Sequence, residues 1–215
     1  MPVTVWWASP GDARPWHRTF LTAAELQRAE SFRRPADRDR FTTGNALLHL
    51  AAWKHLGVRP TVKRACARCG EPHGKPTVEG GVHVSISHSG DLIAVALTEL
   101  GPVGVDVEDA TRHTDIDSML DHVFSPAELA ALPDPSTYFF QAWTRKESIL
   151  KATGEGLMVR MSTLTVLPEA LGHNVRDLTA PRPGYAAALA VLTEDPFTVT
   201  EFDGRELLTA SPPHQ

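Results

Sequence analysis

Val3 to Trp7 forms a short apolar run closed by Ser9-Pro10-Gly11, which predicts a strand and a turn. Thr22 stands before Ala23 with Glu25 in the first turn, an N-cap followed by an acid, and predicts a helix to about Phe32. Pro35 interrupts. Ala36 to about Leu56, rich in Ala and Leu, predicts a second helix stopped by Gly57. Its first turns carry Arg38 and Arg40, close behind Arg33 and Arg34. Residues 58–81 are dense in Pro, Gly and charge and read as loop. His83 to Ser87 alternates polar and apolar, Leu92 to Leu97 is an apolar run, and Val103 to Val107 is a third strand. Strands so closely spaced predict an antiparallel meander. Ser125-Pro126 opens a short helix, with proline where its missing N–H costs nothing. Ser136 to Thr153 reads as the longest helix, ended by Gly154; Tyr185 to Leu192 and Phe197 to Phe202 are late strands, and the tail from Ser211 frays. Helices mixed with antiparallel strands indicate the α+β class.

Composition narrows this picture. With 215 residues, 42% of them hydrophobic and 22% charged, the chain can bury the core of one large domain or two small ones, which excludes a disordered or fibrous protein. The first residues lack a basic segment followed by an apolar run, and no stretch of about eighteen apolar residues occurs. Only Cys66 and Cys69 are present, which suits a reducing compartment. A soluble, cytoplasmic protein is expected. Charge is uneven: residues 1–100 hold 13 Lys and Arg against 9 Asp and Glu, and the remainder holds 8 against 17. A basic half beside an acidic half suits an anionic ligand held by one and a metal by the other, although uneven surface charge alone gives the same balance.

Three segments carry candidate chemistry. In Gly104-Val105-Asp106-Val107-Glu108, strand alternation puts both carboxylates on one face, roughly 7 Å apart. Such a pair repels unless a cation lies between, and hard oxygen ligands favour Mg²⁺; the alternative is an exposed acidic strand face. In Trp143 to Lys151, a helix puts Trp143, Glu147 and Lys151 on one stripe, drifting about 40° per step of four. The plain account is a Glu–Lys pair at i,i+4. Phe140, Trp143 and Leu150 nevertheless fall within roughly 60° of Glu147 on the helical wheel, and a carboxylate in an apolar arc needs a cation or a task. The third segment, His83 to Gly90 with the preceding Gly74-Lys75-Pro76, offers small hydroxyls and free backbone N–H groups to phosphate oxygens, with His88 and Lys75 adding charge. Each part alone also reads as an ordinary polar turn.

The order and spacing of these segments resemble the Sfp-type 4′-phosphopantetheinyl transferase family, the monomeric branch that activates polyketide and nonribosomal peptide synthases. The likeness runs from about Phe32 to Leu157 through G-K-P, S-I-S-H-S, G-V-D-V-E, F-S-P-x-E and W-x-x-K-E-S-x-x-K-x-x-G-x-G. The last two strings are the specific ones. Ser148 stands where members of the family often have Ala.

The resemblance implies the transferase fold, a pseudo-dimer of two similar α+β halves, each with an antiparallel sheet packed by helices. Residues 1–105 would bind coenzyme A, and residues 106–215 would carry the metal and the catalytic helix. Asp106, Glu108 and Glu147 would be Mg²⁺ ligands. Lys151 would meet the transferred phosphate, with Lys146 a second cationic neighbour. Ser87, His88, Gly74, Lys75 and Pro76 would hold the phosphates and adenosine of coenzyme A, and Arg34, Arg38 or Arg40 its 3′-phosphate. The implied reaction moves the phosphopantetheine arm to a serine of apo acyl and peptidyl carrier proteins, releasing adenosine 3′,5′-bisphosphate. Glu147 is the expected general base, with Lys151 and His88 stabilising charge.

Other readings stay open at this stage. Cys66 and Cys69 with His73 resemble half a zinc site, for which His83 is the one further ligand but sits on a strand, against a tight loop with inert thiols. A zinc-ribbon nucleic-acid module fits poorly with the overall acidity. A coenzyme A-holding protein without transfer, and a phosphohydrolase delivering phosphopantetheine to water, are the competing functions.

Overall fold

The computed structural model describes residues 2–65, 69–72, 74–167 and 174–210. In chain order the strands are β1 (Pro2–Ala8), β2 (Val62–Arg64), β3 (Pro76–Val78), β4 (His83–Ser89), β5 (Leu92–Thr98), β6 (Val103–Asp109), β7 (Val175–Asp177), β8 (Tyr185–Val191) and β9 (Thr198–Asp203). The α-helices are α1 (Ala23–Glu30), α2 (Pro35–Leu56), α3 (Leu120–Val123), α4 (Pro126–Ala131), α5 (Phe139–Thr153) and α6 (Arg205–Thr209).

Local chemistry sets most boundaries. Thr22 caps α1 reciprocally: its hydroxyl accepts from the Glu25 amide at 3.3 Å, and the Glu25 carboxylate accepts from the Thr22 amide at 2.9 Å. Pro35 starts α2 rather than interrupting the chain, because proline is tolerated in the first helical turn. Gly57 ends α2 at φ 72°, where a side chain would be strained. The expected helix from Ser136 begins as a 3-10 turn over Pro135–Tyr138, so α5 has 15 residues and α2, with 22, is longer. Within the expected loop 58–81, β2 and β3 pair antiparallel through Val62–Val78 and Arg64–Pro76. Three residues per strand are too few for a period of two to show.

Two sheets pack face to face between helices. The first has the order β4-β5-β1-β9 and the second β6-β8-β7. Val84, Ile93, Val95 and Leu97 face α2, whose stretch from Thr42 to Ala52 is buried all round. Val3, Val5, Trp7, Ala94 and Ala96 face Val103, Val105, Val107, Leu189 and Val191 of the second sheet. The other face of the second sheet carries α5, with Ala152 against Ala190 and Val175. A separate cluster of Val123, Phe124, Phe139, Ala142 and Val166 joins α3 and α4 to α5.

This arrangement corrects two expectations. The meander ends after β5: β6 crosses to the second sheet and pairs antiparallel with β8. The first sheet is not wholly antiparallel, because β9 lies parallel to β1, from Pro2–Thr198 to Trp7–Asp203. The expected division after residue 105 falls inside β6, and β9 and α6 complete the first layer from the far end of the chain. Among the described residues no helix is long and apolar enough to cross a membrane.

Candidate functional site

The site begins where β4 and β6, edge strands of different sheets, run side by side. Alternation on β4 turns Ser85, Ser87 and Ser89 toward β6, and their hydroxyls accept the amides of Val105, Val107 and Asp109 at 3.1, 3.4 and 3.2 Å. Serine suits this seam, being short enough for close approach and able to replace a missing strand partner. The same hydroxyls also donate: Ser87 to Asp106 Oδ1 at 2.8 Å and Ser89 to Glu108 Oε2 at 2.7 Å. The roles of Ser85 and Ser89 were not read from the sequence. Their signal was the alternation in S-I-S-H-S, which runs in step with V-D-V-E twenty residues later.

Asp106 and Glu108 point from β6 toward α5. That helix lies unusually close because residue 104 has no side chain: a Cβ there would stand 2.5 Å from the Ala152 nitrogen and closer still to the Ser148 carbonyl oxygen. Close contact brings Lys151 Nζ to 2.6 Å from Asp106 Oδ1 and 2.8 Å from Ser87 Oγ. Asp106 is 2% exposed, and its Oδ2 has no hydrogen-bond partner among the described residues. Glu147 is half-buried on the same helix. Burial pushes its carboxyl above the ordinary range; Lys151 opposes that shift and Asp106 adds to it. Glu108 is raised likewise, first by burial, with Asp106 and Glu147 adding to the shift.

The Asp106 charge thus reaches both Glu108 and Glu147. Among the described residues, however, no three His, Cys, Asp or Glu side chains are grouped closely enough to hold a metal as they stand. The Lys151 ammonium and two serine hydroxyls engage them instead. The bare Oδ2 of Asp106 is a buried lone-pair donor lacking a partner, and carboxylate oxygens are the donors a hard divalent cation prefers. The donor chemistry therefore fits Mg²⁺.

On the first-sheet side, His88 keeps solvent access on β4. Its ring is held below the ordinary histidine range by the surrounding protein and by Arg40 and Lys151 nearby, against its own backbone and Asp37. Arg40 donates to the Gly90 carbonyl at 2.8 Å and pairs with Asp37 at 3.1 Å. Of the three arginines singled out, Arg40 therefore stands beside His88, while Arg34 is exposed at the start of α2 and Arg38 is half-buried one turn further on.

Two expected phosphate contacts are corrected. Lys146 is fully buried, donating to the Val123 carbonyl at 2.6 Å and to Glu128 Oε2. Glu128 also accepts the Ser125 and Val166 amides, each at 2.7 Å. Lys146 is the internal counter-ion of the F-S-P-x-E segment and faces away from Lys151. Lys75 donates to the carbonyls of Val103, Lys151 and Ala152 at 2.9, 2.8 and 2.6 Å, capping the end of α5 rather than facing outward. Burial lowers this lysine to about 8. Gly74 and Pro76 line a cleft of about 270 Å³ with Lys75, Ser85 and Lys151. Cys66 and His73 of the zinc reading lie outside the described residues.

Fold and site together define an α+β protein in which two helix-backed sheets meet along one seam, with Lys151 paired to Asp106 near Glu108 and Glu147. The profile of the 4′-phosphopantetheinyl transferase superfamily matches residues 102–200. The 4′-phosphopantetheinyl transferase of Bacillus subtilis is 31% identical over 160 residues, covering 71% of this chain and 69% of the relative. The transferase HetI of Nostoc sp. is 37% identical over 144 residues, covering 64% and 61%. AcpT of Salmonella typhimurium is 35% identical over 134 residues, covering 59% and 67%. The chain belongs to the 4′-phosphopantetheinyl transferase superfamily. It spans about three fifths of the length of the Nostoc relative and about two thirds of the other two.

Proposed function

We propose that this chain transfers the 4′-phosphopantetheine arm of coenzyme A to a serine of apo acyl or peptidyl carrier proteins. The observation that carries this reading is Lys151 held between Asp106 and Ser87 beside Glu147, with His88 and Arg40 across the seam. A diphosphate laid along the seam meets cations on both sides, which neutralise the charge that would repel an attacking oxygen.

Asp106, Glu108 and Glu147 are the residues that would hold Mg²⁺. When bound, Mg²⁺ supplies positive charge against the diphosphate oxygens. Lys151 and His88 orient the phosphate, and Glu147 takes the proton of the attacking serine. Its raised affinity for a proton suits a base of this kind. The serine oxygen bonds to the β-phosphorus as the bond to adenosine 3′,5′-bisphosphate breaks, and the displaced bisphosphate leaves with the electron pair.

The same reading takes the molecule as a cytoplasmic monomer made of two similar halves, the first binding coenzyme A and the second carrying metal and base. The pairing of α2 with one sheet and α5 with the other supports two similar layers, with β9 and α6 returning to the first. Nucleic acid and membrane have no part in it. Incubation with coenzyme A, Mg²⁺ and several apo-carriers tests the proposal by mass. The gain of one phosphopantetheine on a carrier serine is expected. Binding of coenzyme A without any gain would leave a holding protein, and free phosphopantetheine would mark a hydrolase.

A further inference from the structure

Arg64, the last residue of β2, joins three segments through one guanidinium. Its Nη2 donates to Asn45 Oδ1 on α2 at 2.7 Å, its Nη1 to the Gly74 carbonyl at 2.9 Å, and its Nε to Glu25 Oε1 on α1 at 3.4 Å. Each anchor is itself fixed. Asn45 donates its amide to the Phe41 carbonyl at 2.8 Å, which leaves its oxygen for Arg64. Glu25 is 3% exposed and also accepts the Thr22 amide and hydroxyl, with His49 Nε2 at 3.2 Å. Burial alone would raise its carboxyl, but His49, Thr22 and Arg64 outweigh burial and hold it near about 2.

The far end of this chain of contacts reaches the site. Gly74, at φ 101°, adopts a conformation that a side chain would strain; its carbonyl meets Arg64. The next residue, Lys75, is the one whose ammonium caps the backbone of Lys151 and Ala152. A strap therefore runs from the α1–α2 core through Arg64, Gly74 and Lys75 to the end of α5. Arg64 and Gly74 line both the 270 Å³ cleft beside Lys151 and a 750 Å³ cavity bordered by Arg28 and Phe41.

We propose that Arg64 is a positioning residue, setting the Gly74-Lys75-Pro76 turn and, through Lys75, the backbone that carries Lys151. This rests on the transferase reading above. A direct role on phosphate is disfavoured because the buried Glu25 carboxylate already neutralises the guanidinium, and three of its five N–H groups are spent. Arginine is needed for its rigid fork: a lysine keeps the charge beside Glu25 but is a point donor that cannot reproduce the divergent contacts to Asn45 and Gly74.

The test compares wild type with Arg64→Lys and Arg64→Ala in two measurements. Amide hydrogen exchange at Lys75, Thr77 and Val78 in the free protein is expected to quicken roughly tenfold in both variants. Exchange along Thr43–Ala52 of α2 should stay slow in Arg64→Lys. Steady-state transfer to an apo-acyl carrier protein should show KM for coenzyme A raised roughly tenfold while KM for the carrier is unchanged. Unchanged exchange at the turn in Arg64→Lys overturns the inference, and so does faster exchange with an unchanged KM for coenzyme A. If Arg64→Ala does not fold, the lysine variant alone decides. A wild-type protein that transfers nothing instead sinks the transferase reading, and turn exchange with coenzyme A calorimetry then decides the strap.

Discussion

Gly104→Ala is the sharpest test of how the site is built. The added Cβ would lie 2.5 Å from the Ala152 nitrogen and nearer still to the Ser148 carbonyl oxygen, both backbone atoms of α5. An ordinary carbon–oxygen approach is about 3.4 Å, so helix and strand must part by about 1 Å or more. Lys151 Nζ stands only 2.6 Å from Asp106 Oδ1, and the same displacement takes that pair out of hydrogen-bond range. Overpacking of this kind costs about 1–3 kcal/mol of stability, and a 1 Å misplacement at a reacting centre costs about a hundredfold in rate. Urea unfolding gives the first quantity, and transfer to an apo-carrier under saturating substrates gives the second. A variant keeping both its unfolding midpoint and its turnover would show that contact between α5 and β6 does not set the site.

Further outcomes follow from the same geometry. Asp106→Ala should abolish transfer without rescue by extra Mg²⁺, whereas Glu147→Gln should keep coenzyme A binding in calorimetry and lose about 10²–10⁴-fold in turnover, as expected for loss of a base. Lys146→Met should lose about 3–5 kcal/mol in urea unfolding by stranding the buried Glu128 carboxylate. If it instead kept its stability and lost coenzyme A affinity, the assignment of Lys146 to the core would fail. Glu25 sits near about 2 in the fold against an ordinary value of 4.5. Its contribution, about 3 kcal/mol, is thus complete above pH 4.5 and is lost as pH falls toward 2. Glu25→Gln should remove that part of the acid-unfolding slope, and an unchanged slope would refute the buried pairing.

Much of the site was legible along the chain because it obeys local periods. A repeat of two put Asp106 and Glu108 on one face, and a repeat of 3.6 put Glu147 and Lys151 on one stripe. Lys146 departs from its expected place for the same geometric reason. Adjacent helical residues diverge by about 100°, which carries Lys146 into the cluster around Phe124 while Glu147 stays on the site side. Lys75 departs from its expected place because nothing local shows that a helix end lies above it to take its ammonium.

The sequence alone therefore determined the elements, their polar faces and the residue types available for chemistry, since each depends on neighbours a few positions away. Tertiary structure decided which edges meet: β9 beside β1, the serines of β4 on the amides of β6, and α5 lowered onto Gly104. Those choices depend on burying apolar faces contributed by distant segments while the buried amides of β6 still find acceptors on β4. No short stretch of chain carries that condition by itself.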